Sequence, residues 1–188
     1  CGYDLRGIGF HAAEAVHVMA EAFRRAFLDR NTWLGDPAFV RAPLTRLLSK
    51  RYAAQLRDTI GEKATPSASL GPAIPPTGEK TETTHFSILD KSGGAASVTY
   101  TLNGGFGSGE IAGDTGFLLN DEMDDFTIKP NVPNQFGLVQ GEANAIAPGK
   151  RPLSSMAPTI VLKNGSVEMV LGSPGGSQII EYVAKSVI

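Results

Sequence analysis

Hydroxyl, amide and carboxyl side chains recur at short spacing in two stretches of the chain. Thr99, Thr101 and Asn103 lie at alternate positions of a predicted strand, so all three side chains face one side of it. Glu122 and Asp125 place two carboxyl groups in one acidic loop, where a desolvated carboxylate would pair strongly with an ammonium group. Each set also fits an ordinary interpretation, the solvent side of an antiparallel sheet and a solvated turn respectively.

Two adjacent glycines, Gly175 and Gly176, precede a helical apolar pattern. Their N–H groups would be among the unpaired donors at the positive end of that helix, and the lack of Cβ atoms lets a ligand approach the backbone. Such donors can stabilise the oxyanion of an acyl-transfer reaction, and they can also bind another anion such as phosphate. Ser154 and Ser155 add two adjacent hydroxyls in a loop, a common arrangement that indicates no function by itself.

Two β-hairpins are predicted to position these side chains. The first has strands at residues 84–90 and 95–102, both rich in β-branched and apolar residues, joined by a Lys-Ser-Gly-Gly turn. The second surrounds Asn164-Gly165, which is among the clearest short turn signals of the sequence. The apolar pattern near the C-terminal end predicts a helix that begins near Gly175.

The N-terminal third of the chain has the spacing of helices. The core-facing side of the first predicted helix consists of Val16, Met19, Ala20, Phe23 and Phe27. Its solvent side is predicted to consist of Glu21, Arg24, Arg25 and Asp29. A second helix is predicted from about residue 44 to residue 60.

Residues 61–82 differ sharply in composition from the segments on either side. They are rich in Pro, Gly and Ser, so neither a helix nor a strand ladder can run through them. We therefore predict a flexible, exposed linker that ends directly before Thr83.

Overall composition argues against two classes of partner. The 188 residues have the length of one domain, and 41% apolar residues would support a core. A formal net charge of -2 provides no polybasic surface, so nucleic acid is disfavoured. No run of about 18 apolar residues is present, so no membrane span is predicted. The N-terminal residues also lack the basic-then-apolar pattern of a secretory signal.

Five short sequence blocks occur between residues 83 and 177. They are Thr83-Thr84-His85-Phe86-Ser87, Thr99-Tyr100-Thr101-Leu102-Asn103, Met123-Asp124-Asp125-Phe126, Lys150-Arg151-Pro152-Leu153-Ser154-Ser155-Met156 and Gly172-Ser173-Pro174-Gly175-Gly176-Ser177. In order and spacing these blocks resemble the small subunit of γ-glutamyltranspeptidase. Asp29-Arg30 and Leu34-Gly35-Asp36-Pro37 resemble pieces of its large subunit. The resemblance therefore runs from inside the large subunit to about a third of the way into the small subunit.

The resemblance implies part of an N-terminal-nucleophile hydrolase, whose α+β fold is a four-layer αββα sandwich. It implies a large-subunit segment at 1–60, a processed segment at 61–82 and a small-subunit segment at 83–188, with autocatalytic cleavage between Glu82 and Thr83. A threonine hydroxyl is a poor nucleophile without a base, and a freed α-amine with a pKa near 8 is a suitable one. We therefore predict that the uncleaved chain is an inactive precursor.

The resemblance also assigns roles within the site. Thr101 orients the nucleophile Thr83, and Gly175 and Gly176 form the oxyanion hole. The remaining assignments are substrate contacts, namely Asn103, Glu122 and Asp125 at the α-amino end of a γ-glutamyl donor and Ser154 and Ser155 at its α-carboxylate. Phe136 matches a position in the loop that covers the pocket, where several bacterial members have Tyr.

The implied reaction is γ-glutamyl transfer or hydrolysis of glutathione and related γ-glutamyl amides through an ester on Thr83. Water or amino acids accept the acyl group, and no metal or organic cofactor is required. The implied partners are the remaining parts of both subunits, and the implied location is periplasmic or extracellular. Two alternatives stay open, a glutaryl-cephalosporin acylase with the same Thr framework and a non-catalytic fragment or anion-binding module.

Overall fold

The computed structural model describes residues 2–9, 11–71 and 82–188. The helices of the first part are α1 (Leu5–Ile8), α2 (Ala13–Trp33), α3 (Leu44–Leu47), α4 (Lys50–Arg57) and α5 (Ser67–Leu70). The strands are β1 (Thr84–Leu89), β2 (Ala95–Tyr100), β3 (Thr159–Lys163) and β4 (Ser166–Leu171), and helix α6 (Ile179–Val187) follows them. Short 3₁₀ turns lie at Gly113–Thr115, Glu122–Asp125, Glu142–Asn144 and Gly176–Gln178. Within the described ranges, none of the helices combines the length and apolar character needed to cross a membrane.

Two compact units interleave along the sequence. The first consists of Cys1–Pro75, Thr127–Pro133 and Val139–Arg151, and the second of Pro76–Phe126, Asn134–Leu138 and Pro152–Ile188. This division groups residues by their contacts. The predicted segments 1–60, 61–82 and 83–188 concern cleavage of the chain, and they stay a prediction. Residues 72–81 of the predicted linker lie outside the described residues, and helix α5 lies in its described part, so the prediction that no helix runs through residues 61–82 is wrong there.

Helix α2 forms where the apolar spacing predicts a helix, but the predicted assignment of its faces is wrong. Val16, predicted to lie in the core, is 50% exposed. Glu21 and Arg25, predicted to face solvent, are only 2% and 4% exposed. Ala15 and Val18 share the buried side with these two charged residues. The helix therefore buries a stripe that contains charge, and that stripe must satisfy its own polar groups.

An ion pair accounts for the burial of Glu21 and Arg25. Arg25 Nη1 donates to Glu21 Oε2 at 2.6 Å, and Arg25 Nε donates to Thr59 Oγ1 at 2.8 Å. Thr65 adds a hydroxyl bond of 2.6 Å and a backbone N–H bond of 3.2 Å to the Glu21 carboxylate. Burial alone would raise the pKa of Glu21, but hydrogen bonds from Thr65, Arg25 and Arg24 outweigh it and lower that pKa to about 2. The pair thus fastens α2 to the segment after α4.

We expect Glu21→Ala to lower the free energy of unfolding by about 3–5 kcal/mol, since removing one partner leaves Arg25 as an uncompensated buried charge. The matched control is Glu14→Ala, which removes an exposed glutamate from the same helix and should change stability by less than about 0.5 kcal/mol. Urea unfolding of both variants and the wild type measures the difference. Equal, small effects of the two substitutions would show that the pair contributes little.

The second predicted helix is divided into two helices, so the prediction of one helix from 44 to 60 is wrong. Helix α3 ends at Leu47, and α4 begins at Lys50 after an extended residue, Ser49. The Ser49 side chain accepts the backbone N–H of Tyr52 at 3.1 Å. A serine in this role caps the start of a new helix, which explains the interruption. Helix α4 then ends at Arg57.

Asp36 joins distant segments of the first unit. Its carboxylate accepts the backbone N–H of Arg151 at 2.9 Å and the Arg151 Nη2 at 2.8 Å. Bonds from the Arg151 side chain, from the Ala38 N–H and from the Arg151 N–H hold the pKa of Asp36 well below its usual range. Next to it, a Cβ at Gly35 would lie 2.1 Å from the carbonyl oxygen of Ala143, so only glycine permits this approach. These contacts connect chain segments from both sides of the predicted cleavage bond.

Both predicted hairpins are present in the second unit. Strands β1 and β2 pair antiparallel, and β3 pairs antiparallel with β4. The backbone turns at Asn164 and Gly165 with φ angles of 52° and 81°, as a two-residue hairpin loop requires. The two hairpins touch through Ser97, whose hydroxyl donates to the carbonyl of Leu171 at 2.9 Å and accepts the N–H of Thr159 at 3.1 Å.

Candidate active site

One cleft in the second unit brings together most of the residues predicted from the sequence. Those that line it are Thr83, Thr101, Asn103, Asp125, Ser154, Ser155 and Gly176. The other lining residues are Phe136, Leu138, Met156, Ser177 and Ile179. The cleft encloses about 340 Å³ when its open mouth is included. Glu82, Glu122 and Gly175 do not line it.

The ends of β1 and β2 position Thr83 and Thr101. Thr84 is paired with Tyr100 in the hairpin, so the next pair outward in register is Thr83 and Thr101. Thr101 Oγ1 accepts the backbone N–H of Asn103 at 2.9 Å. Because this bond uses a lone pair of the oxygen, the hydroxyl proton of Thr101 can be donated to another acceptor. That geometry is compatible with the predicted role of Thr101 in orienting Thr83.

Glu82 lies on the other side of the bond that is predicted to be cleaved. It is exposed, and a Cβ added at Gly105 would be 3.1 Å from its carboxyl carbon, so its side chain lies against the glycine-rich loop that follows β2. The chain is continuous from Glu82 to Thr83. In this state Thr83 carries an amide nitrogen, which cannot act as the base that its hydroxyl needs.

The two predicted acidic contacts occupy different places in the 3₁₀ turn Glu122–Asp125. Asp125 lines the cleft, whereas Glu122 lies behind it as a hydrogen-bond partner of Asp125. Burial, that hydrogen bond, and the negative charges of Asp125 and Asp121 raise the pKa of Glu122 to about 8. Burial and the acidic neighbours therefore favour the protonated form of Glu122 near neutral pH.

The raised pKa of Glu122 makes stability depend on pH. Because the folded protein keeps this proton up to about pH 8 while an ordinary glutamate with a pKa of 4.5 loses it, raising the pH through this range favours unfolding. This contribution to stability is complete below pH 4.5 and is lost as the pH rises through 8. Glutamine does not titrate, so Glu122→Gln should not lose stability in this way. The difference in unfolding temperature, variant minus wild type, should therefore be larger near pH 9 than near pH 5.

Thermal unfolding at several pH values tests this expectation. Glu142→Gln, which alters an exposed glutamate, should follow the pH dependence of the wild type. If Glu122→Gln also follows the wild type, Glu122 does not titrate in the range expected.

A loop at residues 134–138 closes one side of the cleft, and Asp124 holds it there. Asp124 Oδ2 accepts the backbone N–H of Gln135 at 3.0 Å. Asn134 Oδ1 accepts the N–H groups of Phe136 at 3.0 Å and Leu138 at 2.9 Å, the two loop residues that line the cleft. Neither Asp124 nor Asn134 was predicted as a site residue. The signal available was the pairing of an Asp and a turn-forming Asn, whose side chains commonly bind backbone N–H groups.

Ser154 and Ser155 line the cleft on an irregular segment before β3. Ser154 Oγ accepts the backbone N–H of Met156 at 3.1 Å, and this local bond fixes the position of the hydroxyl. A hydroxyl that accepts one hydrogen bond keeps its proton for donation, as binding to a carboxylate requires.

Gly175 and Gly176 lie before α6 but do not begin it, so the helix starts later than predicted. A 3₁₀ turn, Gly176–Gln178, precedes α6, which begins at Ile179. Gly176 lines the cleft, and Gly175 caps the turn with a φ of 135°. A Cβ at Gly175 would lie 2.6 Å from the ring of Tyr182, so both conformation and space require glycine there.

The cleft thus presents threonine and serine hydroxyls, a carboxylate and a glycine backbone within one small volume. Such a set suits acyl transfer from a small donor that carries both an ammonium and a carboxylate group. Among the described residues, no group of three or more His, Cys, Asp or Glu could hold a metal ion.

Comparison with solved structures identifies the fold. A γ-glutamyltranspeptidase from Pseudomonas nitroreducens complexed with L-DON is 60% identical to this chain with a TM-score of 0.54, covering 55% of this chain and 54% of that chain. A mutant γ-glutamyltranspeptidase from Helicobacter pylori is 55% identical with a TM-score of 0.51, covering 56% of this chain and 60% of that one. The chain is therefore part of an α+β N-terminal-nucleophile hydrolase fold, as predicted.

Sequence comparison identifies the family. The model of the family "Gamma-glutamyltranspeptidase" matches residues 1–188. A glutathione hydrolase proenzyme of a Pseudomonas species is 58% identical over 180 residues, covering 95% of this chain and 31% of that protein. The glutathione hydrolase proenzyme of Escherichia coli is 51% identical over 187 residues, covering 99% and 32%. The chain belongs to the γ-glutamyltranspeptidase family, and the resemblance found in the sequence is confirmed. It spans about a third of the length of these curated relatives.

Proposed function

We propose that the protein containing this chain cleaves itself between Glu82 and Thr83 and then transfers γ-glutamyl groups through Thr83. The observation that carries the proposal is the cleft in which Thr83 shares one small volume with Asp125, Ser154 and Gly176. The α-amine released by cleavage supplies the base that the intact chain lacks. Membership of the family and the proenzyme names of the relatives support this proposal.

In the proposed acylation step, Thr83 Oγ1 attacks the γ-carbonyl carbon of the donor while the Thr83 α-amine takes the hydroxyl proton. The carbonyl electron pair moves to oxygen, and the N–H groups of Gly175 and Gly176 stabilise that oxyanion. Collapse of the intermediate breaks the C–N bond, and the leaving amine receives the proton from the Thr83 ammonium. Water or an amino-acid amine then attacks the ester by the same sequence of steps, which regenerates Thr83.

Donor recognition in this proposal depends on charge. Asp125 pairs with the α-ammonium group of the donor, and Asn103 and Glu122 assist at the same end. Ser154 and Ser155 donate hydrogen bonds to the α-carboxylate. Glutathione and related γ-glutamyl amides carry both groups on the carbon chain that ends in the scissile amide. Two relatives carry the name glutathione hydrolase, which supports this donor class.

The proposal extends to assembly and location. We expect the segments on both sides of the cleavage bond to stay together with the remaining parts of a large and a small subunit, since the first unit already contains residues from both sides. We also expect a periplasmic or extracellular location, as the family resemblance implies. Cell fractionation followed by detection of the two cleaved chains tests both expectations.

Turnover of γ-glutamyl-p-nitroanilide and glutaryl-p-nitroanilide by the full-length, cleaved protein tests the function. The proposal expects strong preference for the γ-glutamyl donor, because only that donor has an ammonium group for Asp125. Thr83→Ala is the inactive control. The absence of turnover with either donor would favour a non-catalytic or anion-binding role.

A glutaryl acylase is the second candidate, because one relative is named an acylase. An "Acylase ACY 1 proenzyme" of a Pseudomonas species is 37% identical over 187 residues, covering 100% of this chain and 31% of that protein. Preference for the glutaryl donor in the same assay would support this candidate. The presence of Asp125 in the cleft argues against it, because a glutaryl group has no ammonium group to pair with that carboxylate.

A further inference from the structure

Asp121 contacts the backbone on both sides of Asn103. Its N–H donates to the carbonyl of Leu102 at 3.1 Å, and its Oδ1 accepts the N–H of Gly104 at 2.7 Å. Asn103 is 7% exposed and has a φ of 73°, a left-handed conformation that asparagine tolerates better than most non-glycine residues. The two bonds from Asp121 hold that conformation in place.

A third contact of Asp121 fixes the orientation of the Asn103 amide. Asn103 Nδ2 donates to the backbone carbonyl of Asp121 at 3.2 Å. A carbonyl oxygen can only accept, so the NH₂ group of the amide must face it. Asn103 Oδ1 then points the other way, and Asn103 lines the cleft whereas Asp121 does not. The cleft thereby receives a hydrogen-bond acceptor from Asn103 instead of a donor.

An acceptor at this position suits one kind of donor substrate. An ammonium group has only N–H donors, so it binds Asn103 Oδ1 favourably and would be repelled by the NH₂ group. We propose that the Asp121 side chain is a positioning group for donor selectivity. Its bond to the Gly104 N–H holds the backbone of residue 121 beside Asn103, and the carbonyl of that backbone fixes the Asn103 amide so that the site selects donors with an α-ammonium group. This inference rests on the proposed function, and it adds a residue that the family resemblance did not assign.

Two variants separate positioning from charge, since Asp121 also contributes negative charge beside Glu122. Asp121→Ala removes both the charge and the acceptor for Gly104. Asp121→Asn removes the charge but keeps a side-chain oxygen that can accept the Gly104 N–H. If Asp121 acts by positioning, Asp121→Ala should change the donor preference strongly and Asp121→Asn only slightly. If Asp121 acts through its charge, the two variants should change the donor preference equally.

The experiment measures kcat and KM of the full-length, cleaved protein with γ-glutamyl-p-nitroanilide and glutaryl-p-nitroanilide. Asp121→Ala should raise KM for the γ-glutamyl donor by about 10- to 100-fold, as expected for the loss of a hydrogen bond to a charged group. KM for the glutaryl donor should change by less than about 3-fold, and Asp121→Asn should restore most of the preference. Asp114→Ala, at an exposed aspartate of the same unit outside the cleft, is the matched control and should leave both donors unchanged.

Provided that the cleaved wild type is active, three outcomes would overturn the inference. They are an unchanged donor preference in Asp121→Ala, equal losses with both donors, and equal effects of the Ala and Asn variants. The extent of cleavage on a denaturing gel shows whether a variant has simply failed to mature, and KM is then measured on the cleaved fraction alone. If the cleaved wild type turns over neither donor, the proposed function itself fails. That failure is recognised from the wild type alone, before any variant is compared.

Discussion

Thr83→Ala is expected to abolish both cleavage of the Glu82–Thr83 bond and all turnover of γ-glutamyl donors. The substitution removes the hydroxyl that attacks the preceding carbonyl in the precursor and the donor carbonyl in the mature enzyme. Loss of a nucleophile that acts with its base as one unit typically lowers kcat by about 10⁴-fold or more. Intact mass spectrometry follows cleavage, and release of p-nitroaniline follows turnover.

The neighbouring threonine provides a matched control for this prediction. Thr84 is exposed, belongs to β1 and does not line the cleft, so Thr84→Ala should mature and turn over donors normally. In the wild type, activity should rise in step with the release of the Thr83 amine. Substantial turnover by material shown to be uncleaved would contradict the mechanism, because the amide nitrogen of Thr83 cannot serve as a base.

The hairpins could be predicted from the sequence because their signals are local. Asn164 and Gly165 tolerate positive φ angles, so the turn is determined by two adjacent residues and the strands follow from it. The interruption between α3 and α4 is also local, but the apolar periodicity across it hides the serine cap at Ser49. Periodicity alone therefore joined two helices that a capping residue separates.

The faces of α2 could not be predicted because their partners are distant in sequence. A helical pattern assigns charged residues to solvent, and that rule fails for Glu21 and Arg25. Their burial depends on Thr59 and Thr65, which are 34 to 44 residues away along the chain. Tertiary contacts of this kind carry no signature within the helix itself.

In the site, the side chains that line the cleft could be predicted from the sequence, whereas the residues that hold the neighbouring loops in place could not. Most of the residues that line the cleft belong to sequence blocks whose reactive side chains carry the resemblance. Asp121 and Asp124 were not predicted as site residues because their carboxylates accept backbone N–H groups of neighbouring loops, at Gly104 and Gln135. Such support depends on where the loops lie in three dimensions, and an acidic cluster in a sequence is compatible with many arrangements.

Asp125→Ala is expected to lower kcat/KM for γ-glutamyl-p-nitroanilide by about 10²- to 10³-fold, since removing one partner of a desolvated ion pair costs about 3–5 kcal/mol. The substitution also removes the hydrogen bond and the charge of Asp125 that raise the pKa of Glu122, so the measurement includes Asp125→Ala combined with Glu122→Gln, in which Glu122 cannot supply a replacement carboxylate. Turnover of glutaryl-p-nitroanilide should be preserved or improved, since that donor never used the carboxylate. Steady-state kinetics with both donors measures the change.

The size of the effect in Asp125→Asn distinguishes charge from shape. Asparagine fills the same space and can still accept a hydrogen bond, so an intermediate loss would mean that both the bond and the charge contribute. Glu110→Ala, at an exposed glutamate outside the cleft, controls for net charge and should have no effect on either donor. Equal losses with both donors in Asp125→Ala would mean that Asp125 shapes the cleft without reading the ammonium group. Discrimination between the transpeptidase and the acylase would then depend on other residues, because a carboxylate that does not pair with the donor cannot select for it.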